Sequence, residues 1–202
     1  MPSRFHQTIE PVTHLHPRTL LSLGVSLFST GLLLGLAALT YNSFDLAISH
    51  VAGQIRVSPL TAFAVVLNVA LGPVGAICIL LVLGGWLAFE KRKQALAFMV
   101  VCAGGWLSST VAKQIVSRPR PQTENMLSAV TKTGLDSFPS GHTAFAVSLA
   151  WSIGLMVARP GRSRRLTIPI GLAGAVVVGL SRIYLGVHYP TDVLGSLTDH
   201  VP

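Results

Sequence analysis

The sequence predicts an all-α protein, a polytopic membrane helical bundle with five transmembrane helices and a truncated sixth, forming one domain over residues 1–202. Three observations predict it. Of the residues, 50% are hydrophobic and only 11% are charged, whereas charged residues make up about a quarter of a soluble domain. Mean hydropathy is +0.62. The charges are also missing from long stretches rather than thinned evenly, and a bilayer crossing needs about 20 apolar residues.

The first stretch without Asp, Glu, Lys or Arg runs from Thr19 to Phe44. Its apolar segment is longer than the roughly 7 to 15 residues of a signal-peptide core, which predicts an uncleaved first span. The second runs from Val57 to Phe89. At about 1.5 Å per residue it is too short to cross a core of about 30 Å twice. Gly72-Pro73 is expected to break it into a short half-buried helix, Leu60 to Leu71, and a crossing helix, Val74 to Phe89. The third stretch is Gln94 to Ala112 and the fourth is Ser137 to Ala158, interrupted only by His142. The fifth, Leu166 to Ser181, extends through Leu185 if Arg182 sits at the interface. Only Val193 to Thr198 follow before the next charge, too few to cross a bilayer.

Positive charge orients these spans. Arg4, Arg18, Lys91, Arg92, Lys93, Arg159, Arg162, Arg164 and Arg165 share one side, which the excess of positive charge assigns to the cytoplasm. Arg56, Lys113, Arg118, Arg120, Lys132 and Arg182 fall on the other. The formal net charge of +8 is thus accounted for by topology and anionic lipid heads. Nucleic acid is excluded as a partner, because no soluble basic domain remains once the spans are removed. Cys78 and Cys102 lie within spans and read as small core residues rather than a disulfide or metal pair. Nothing in the sequence sets the oligomeric state.

The outer charges gather with other polar residues in three segments: "KQIVSRPRP" from Lys113, "PSGH" from Pro139, and "SRIYLGVHYPTD" from Ser181. Parity of the spans brings all three to one face. Alone, Lys113 reads as a snorkelling helix end, Ser140 as a helix cap, and His188 with Asp192 as a loop hydrogen bond. Together they place two His, one Asp, one Lys and two Arg at a membrane edge, a set that is costly to desolvate unless it holds an anion such as a phosphoryl group.

Lys113 with six residues before Arg120-Pro121, then Pro139-Ser140-Gly141-His142, then Ser181-Arg182 with five residues before His188 and three before Asp192, resembles the three-part signature of the type 2 phosphatidic acid phosphatases. That superfamily spans membrane lipid phosphatases, polyprenyl diphosphate phosphatases and soluble vanadium haloperoxidases. The resemblance covers about Ala95 to Gly195 and implies a six-span layout, against which the apolar run after Asp192 reads as a truncated sixth helix. It also implies a metal-independent hydrolase, without cofactor, in a bacterial inner (cell) membrane, with its site outside the cytoplasm. Lys113, Arg120 and Arg182 would hold phosphoryl oxygens, joined by Ser140 and Gly141 at a helix start and by Arg118. His188 would attack phosphorus, Asp192 would orient it, and His142 would act as general acid and base. Asp136 and Tyr184 read as structural. The substrate would be a lipid phosphate or polyprenyl diphosphate; phosphatidate, phosphatidylglycerophosphate and undecaprenyl diphosphate all fit. A haloperoxidase-like oxidoreductase and a non-catalytic lipid-binding membrane protein are the alternatives.

Overall fold

The computed structural model of the protein describes residues 17–121, 130, 134–157 and 162–198. Arg4, Lys132, Arg159 and Ala158 of the sequence reading lie outside the described residues. All regular structure among the described residues is helical: α1 (Pro17–Thr40), α2 (Ser43–Gln54), α3 (Ser58–Ala70), α4 (Pro73–Glu90), α5 (Arg92–Val116), α6 (Gly141–Ser152), α7 (Arg162–Tyr184) and α8 (Pro190–Thr198). Proline stands in the first turn of α3 and α4, and Pro190 begins α8. There its missing N–H costs nothing and its fixed φ already suits a helix.

Among the described residues, three helices are long and apolar enough to cross a membrane: Leu21–Thr40, Arg92–Val116 and Arg165–Tyr184. The break at Gly72 falls where expected, and Ser58–Ala70 meets Pro73–Phe89 at 62°, a bent pair that makes a fourth crossing if it acts as one span. The fourth charge-free stretch behaves differently from a simple span. Its first residues, Ser137 to Ser140, are non-helical, α6 begins only at Gly141, and a π-helical turn, Ile153–Val157, follows. Part of the apolar length is therefore spent on the loop that carries "PSGH". The short helix α2 was not anticipated from the sequence.

Packing follows the small residues. α6 lies against both α5 and α7, and α1 runs beside α8. A core of Ala76, Leu80, Phe98, Cys102 and Phe145 joins α4, α5 and α6. Trp106 meets Phe145 edge to face at 5.9 Å between ring centroids. Large apolar side chains such as Leu21, Val82, Leu96 and Ile170 point outward, as lipid-facing positions require. Fully buried Phe138 wedges between α1 and α8. A Cβ on Gly35 would come to 2.5 Å from its ring and one on Gly195 to 2.3 Å, so only glycine admits the ring from either side. Phe138 thereby fixes the entry of the segment that carries Ser140, Gly141 and His142.

Chain direction sets the ends of the bundle. α5 ends and α6 begins beside the three motif segments, and α7 ends there, whereas Lys91, between α4 and α5, Arg92 and Lys93, at the start of α5, and Ser163, at the start of α7, lie at the opposite end.

Candidate active site

The last turn of α5 presents Lys113, whose Nζ donates to the carbonyls of Asp136 at 2.5 Å and Pro139 at 2.6 Å. The helix then stops at Ser117, a left-handed residue with φ 48° whose N–H returns to the Lys113 carbonyl. Pro119 and Pro121 keep the following chain extended. That geometry turns Arg118 and Arg120 to different partners. Arg120 grips Asp136 with two parallel bonds, Nε to Oδ1 at 2.8 Å and Nη2 to Oδ2 at 2.9 Å. Its Nη1 donates to the Val187 carbonyl at 2.9 Å and reaches His188 Nε2 at 3.3 Å.

These contacts decide the His188 tautomer. A guanidinium can only donate, so Nε2 carries a lone pair and the ring proton is on Nδ1, which lies 3.3 Å from Asp192 Oδ2. Asp192 is itself held: Oδ2 also accepts from Ser137 Oγ at 2.5 Å and from the Tyr189 N–H at 2.8 Å, and Oδ1 accepts from Arg118 at 2.7 Å. Burial, and then the charges of Arg120, Lys113, Arg182 and His142, push the His188 imidazolium well below the ordinary histidine range. The neutral form is the resident one. Asp136, bonded by Arg120 and near Lys113 and His188, is held down at about 2 and stays ionised.

His142 stands in the first turn of α6, 7% exposed, with Nε2 3.0 Å from the backbone carbonyl of Asn68. A carbonyl only accepts, so this nitrogen bears a proton. The side chain of the same Asn68 accepts from Arg182 Nη1 at 2.7 Å. Arg182 is 1% exposed, and its Nε and Nη2 have no hydrogen-bond partner among the described residues. A cavity of about 190 Å³ joins the motifs; Lys113, Arg120, Gly141, His142 and His188 line it, with Trp106 and Pro73 as apolar walls. Arg182 is not in that lining and stands behind Asn68. Among the described residues, no group of three or more His, Cys, Asp or Glu could hold a metal ion.

The structure thus brings Lys113, Arg120, Gly141, His142, His188 and Asp192 to one place, and gives two of the expected binders partners elsewhere. Arg118 is not in the cavity lining: it is buried between Asp45 and Asp192, at 2.6 Å and 2.7 Å. Ser140 offers the cavity little, because its N–H donates to the Asp192 carbonyl at 3.1 Å and its Oγ accepts from Thr143 at 3.0 Å. The N–H groups of the first turn of α6, which have no acceptor one turn back in the helix, begin instead at Gly141. Tyr184 ties α7 to the start of α3 through Val57 and Thr61, a structural link. Two residues escaped the sequence reading. Asn68 stands out as a lone amide in the apolar run of α3, and Asp45 is the only acid between Glu10 and Glu90; both are signals of intramembrane polarity with a task.

A family profile described as the PAP2 superfamily matches residues 94–198. Phosphatidylglycerophosphatase B of Bacillus subtilis is 32% identical over 124 residues, covering 59% of this chain and 59% of that relative. Undecaprenyl-diphosphatase BcrC of the same organism is 34% identical over 109 residues, covering 54% and 53%. Decaprenylphosphoryl-5-phosphoribose phosphatase of Mycobacterium tuberculosis is 33% identical over 118 residues, covering 57% and 60%. The match therefore spans a little over half the length of these relatives. Among solved structures, a transmembrane PAP2-type phosphatidylglycerolphosphate phosphatase from Bacillus subtilis superposes with a TM-score of 0.73 at 28% identity, covering 87% of this chain and 89% of that one.

Proposed function

Because the chain belongs to the PAP2 superfamily and is an integral membrane protein, we propose that it hydrolyses a lipid phosphate or polyprenyl diphosphate through a phosphohistidine. The observation that carries this reading is His188 Nε2, a lone pair backed by Asp192, at a cavity shared with Lys113, Arg120 and His142. The Nε2 lone pair forms the N–P bond as the P–O bond to the lipid breaks, and His142, starting as the imidazolium, gives a proton to the departing oxygen and becomes neutral. Water then loses a proton to His142 and attacks phosphorus, the N–P bond breaks, and phosphate leaves with both histidines restored. Lys113, Arg120 and the N–H groups at the start of α6 stabilise charge on the equatorial oxygens, and Arg182, whose Nε and Nη2 are unmatched among the described residues, joins them once the Asn68 amide moves aside. Asp136 occupies the fork of Arg120, so phosphate meets that arginine through Nη1 or displaces the carboxylate.

In this reading the chain crosses the membrane five times, through α1, the bent pair α3–α4, α5, α6 with its π-helical turn, and α7, and the site faces away from the cytoplasm. Cysteines introduced at exposed Leu135 and Ser163 test the orientation. Leu135→Cys is expected to react with an impermeant thiol reagent in intact cells and Ser163→Cys only after lysis; the reverse pattern refutes it.

The activity is tested by phosphate release from phosphatidate, phosphatidylglycerophosphate and undecaprenyl diphosphate in detergent. At least one is expected to be cleaved, with vanadate inhibiting and EDTA without effect. Vanadate takes the five-coordinate shape of the phosphoryl transition state, which the cationic ring favours. Activity lost in EDTA and restored by a divalent ion would overturn the metal-free site. Bromide oxidation with added vanadate, without phosphate release, would favour the haloperoxidase-like alternative.

A further inference from the structure

We propose that Asp45, outside the three motifs, is a positioning residue that works through Arg118 to hold Asp192, and so His188, in register and at the right charge. The proposal rests on the reading of His188 as nucleophile. It starts from a buried set of one cation and two carboxylates. Asp45, on α2, is 1% exposed, Arg118 2% and Asp192 0%. Asp45 Oδ2 accepts from Arg118 Nη2 at 2.6 Å and from the Thr191 hydroxyl, and Oδ1 accepts from the Thr191 N–H at 3.0 Å. Arg118 Nη1 donates to Asp192 Oδ1 and to Thr191 Oγ1, both at 2.7 Å. Its Nη2 also donates to the Ala38 carbonyl at 3.2 Å, and the guanidinium lies 4.1 Å from the Tyr189 ring centre.

Two consequences follow from these contacts. First, Thr191 is in the opening turn of α8, where N–H groups lack helical acceptors. Asp45 supplies one from another helix. That fixes the turn on which Asp192 is mounted, four residues after His188. Second, Arg118 divides its charge between the two carboxylates. With Asp45 in place, Asp192 keeps enough negative charge to hold the Nδ1 proton of His188 and to steady the cation formed when Nε2 attacks. Were Asp45 neutral, Arg118 would pair with Asp192 alone, and His188 would become a poorer nucleophile.

The groups facing His188 are Asp192 from α8, Lys113 and Arg120 from α5 and the loop after it, Arg182 from α7 and His142 from α6, with Arg118 behind Asp192 and Asp136 behind Arg120. Removing a negative charge from this set disfavours the imidazolium and lowers the pH at which it forms. The acid limb of kcat/KM should then move to lower pH. Because the same substrate serves both enzymes, its own ionisation cancels in the comparison. The position of the limb is also independent of how much protein is folded.

Asp45→Asn is therefore expected to lower kcat about 10- to 100-fold with KM nearly unchanged, as loss of an orienting partner does elsewhere, and to shift the acid limb down by about half a pH unit. Asp45→Glu, which keeps the charge, is expected to leave the limb at its wild-type position. An unmoved limb in Asp45→Asn, whether kcat is normal or falls only with the folded fraction, would overturn the proposal. If Asp45→Asn does not fold, Arg118→Lys decides: its point charge cannot grip both carboxylates, so kcat per folded molecule should drop at constant KM, and a wild-type kcat would refute the proposal. Wild-type protein inactive on every lipid phosphate would instead refute the phosphatase reading itself.

Discussion

His188→Ala is expected to lose on the order of 10⁵-fold or more in kcat/KM on every substrate, as removal of a hydrolase nucleophile does, whereas the loss in His142→Ala depends on the leaving group. An alkoxide leaving a lipid phosphate needs a proton, and nitrophenolate hardly does. General acid help is worth about 10² to 10⁴ in rate, so His142→Ala should lose that much on a lipid phosphate and clearly less on nitrophenyl phosphate. The geometry supports the division of labour. Nε2 of His188 faces a donor and bears the lone pair, whereas His142 lines the same cavity with its ring oriented by the bond from Nε2 to the Asn68 carbonyl. Kinetics of both variants on both substrates check it. Equal losses on the two substrates for His142→Ala would reduce that residue to a phosphate contact or a helix-end hydrogen bond.

Arg182 is expected to show activity and stability moving in opposite directions. Its buried guanidinium has one nitrogen satisfied by Asn68 and two without partners among the described residues. An unmatched buried donor costs about 1 to 3 kcal/mol, more when charged. The fold bears that cost, and a phosphoryl oxygen would relieve it. Arg182→Gln should therefore lose about 10³-fold in kcat/KM, in line with loss of one transition-state donor. Its melting temperature in detergent should be unchanged or raised, since a buried, poorly matched cation has been removed. Arg182→Lys keeps the charge without the fork and should fall between. Vanadate affinity should weaken in parallel with kcat/KM, because vanadate samples the same transition-state contacts. A several-degree fall in melting temperature with activity retained would make Arg182 a structural residue.

How far the sequence reaches depends on whether the cause is local. The apolar stretches, the break at Gly72-Pro73 and the stop after Lys113 arise from composition and from proline and glycine stereochemistry, which act over a few residues and are legible in them. The spacing of the motifs also says that Lys113, Arg120, His142, His188 and Asp192 belong together, because spans of alternating direction return them to one face. α6 was less legible. Apolar composition marks Ser137 to Ala158 as a span, but Phe138, seated between Gly35 and Gly195, holds Ser137 to Ser140 out of the helix.

Only the tertiary structure could distinguish Arg118 from Arg120. The two arginines sit two apart in one extended proline-rich segment and carry the same charge, so nothing local separates them. Their roles are decided by what each meets across the bundle: Asp45 and Asp192 for Arg118, Asp136 and His188 for Arg120. In the same way, the hydrogen bonds that occupy Ser140 come from α8 and from within α6, and Asn68 joins His142 to Arg182 from a helix that the motifs do not include. Sequence by itself determined the membrane bundle, the family and the polar inventory of the candidate site. Which of those polar atoms face substrate and which hold the others in place is set by partners distant in the chain, and long-range pairing leaves no mark in the residues on either side of a motif.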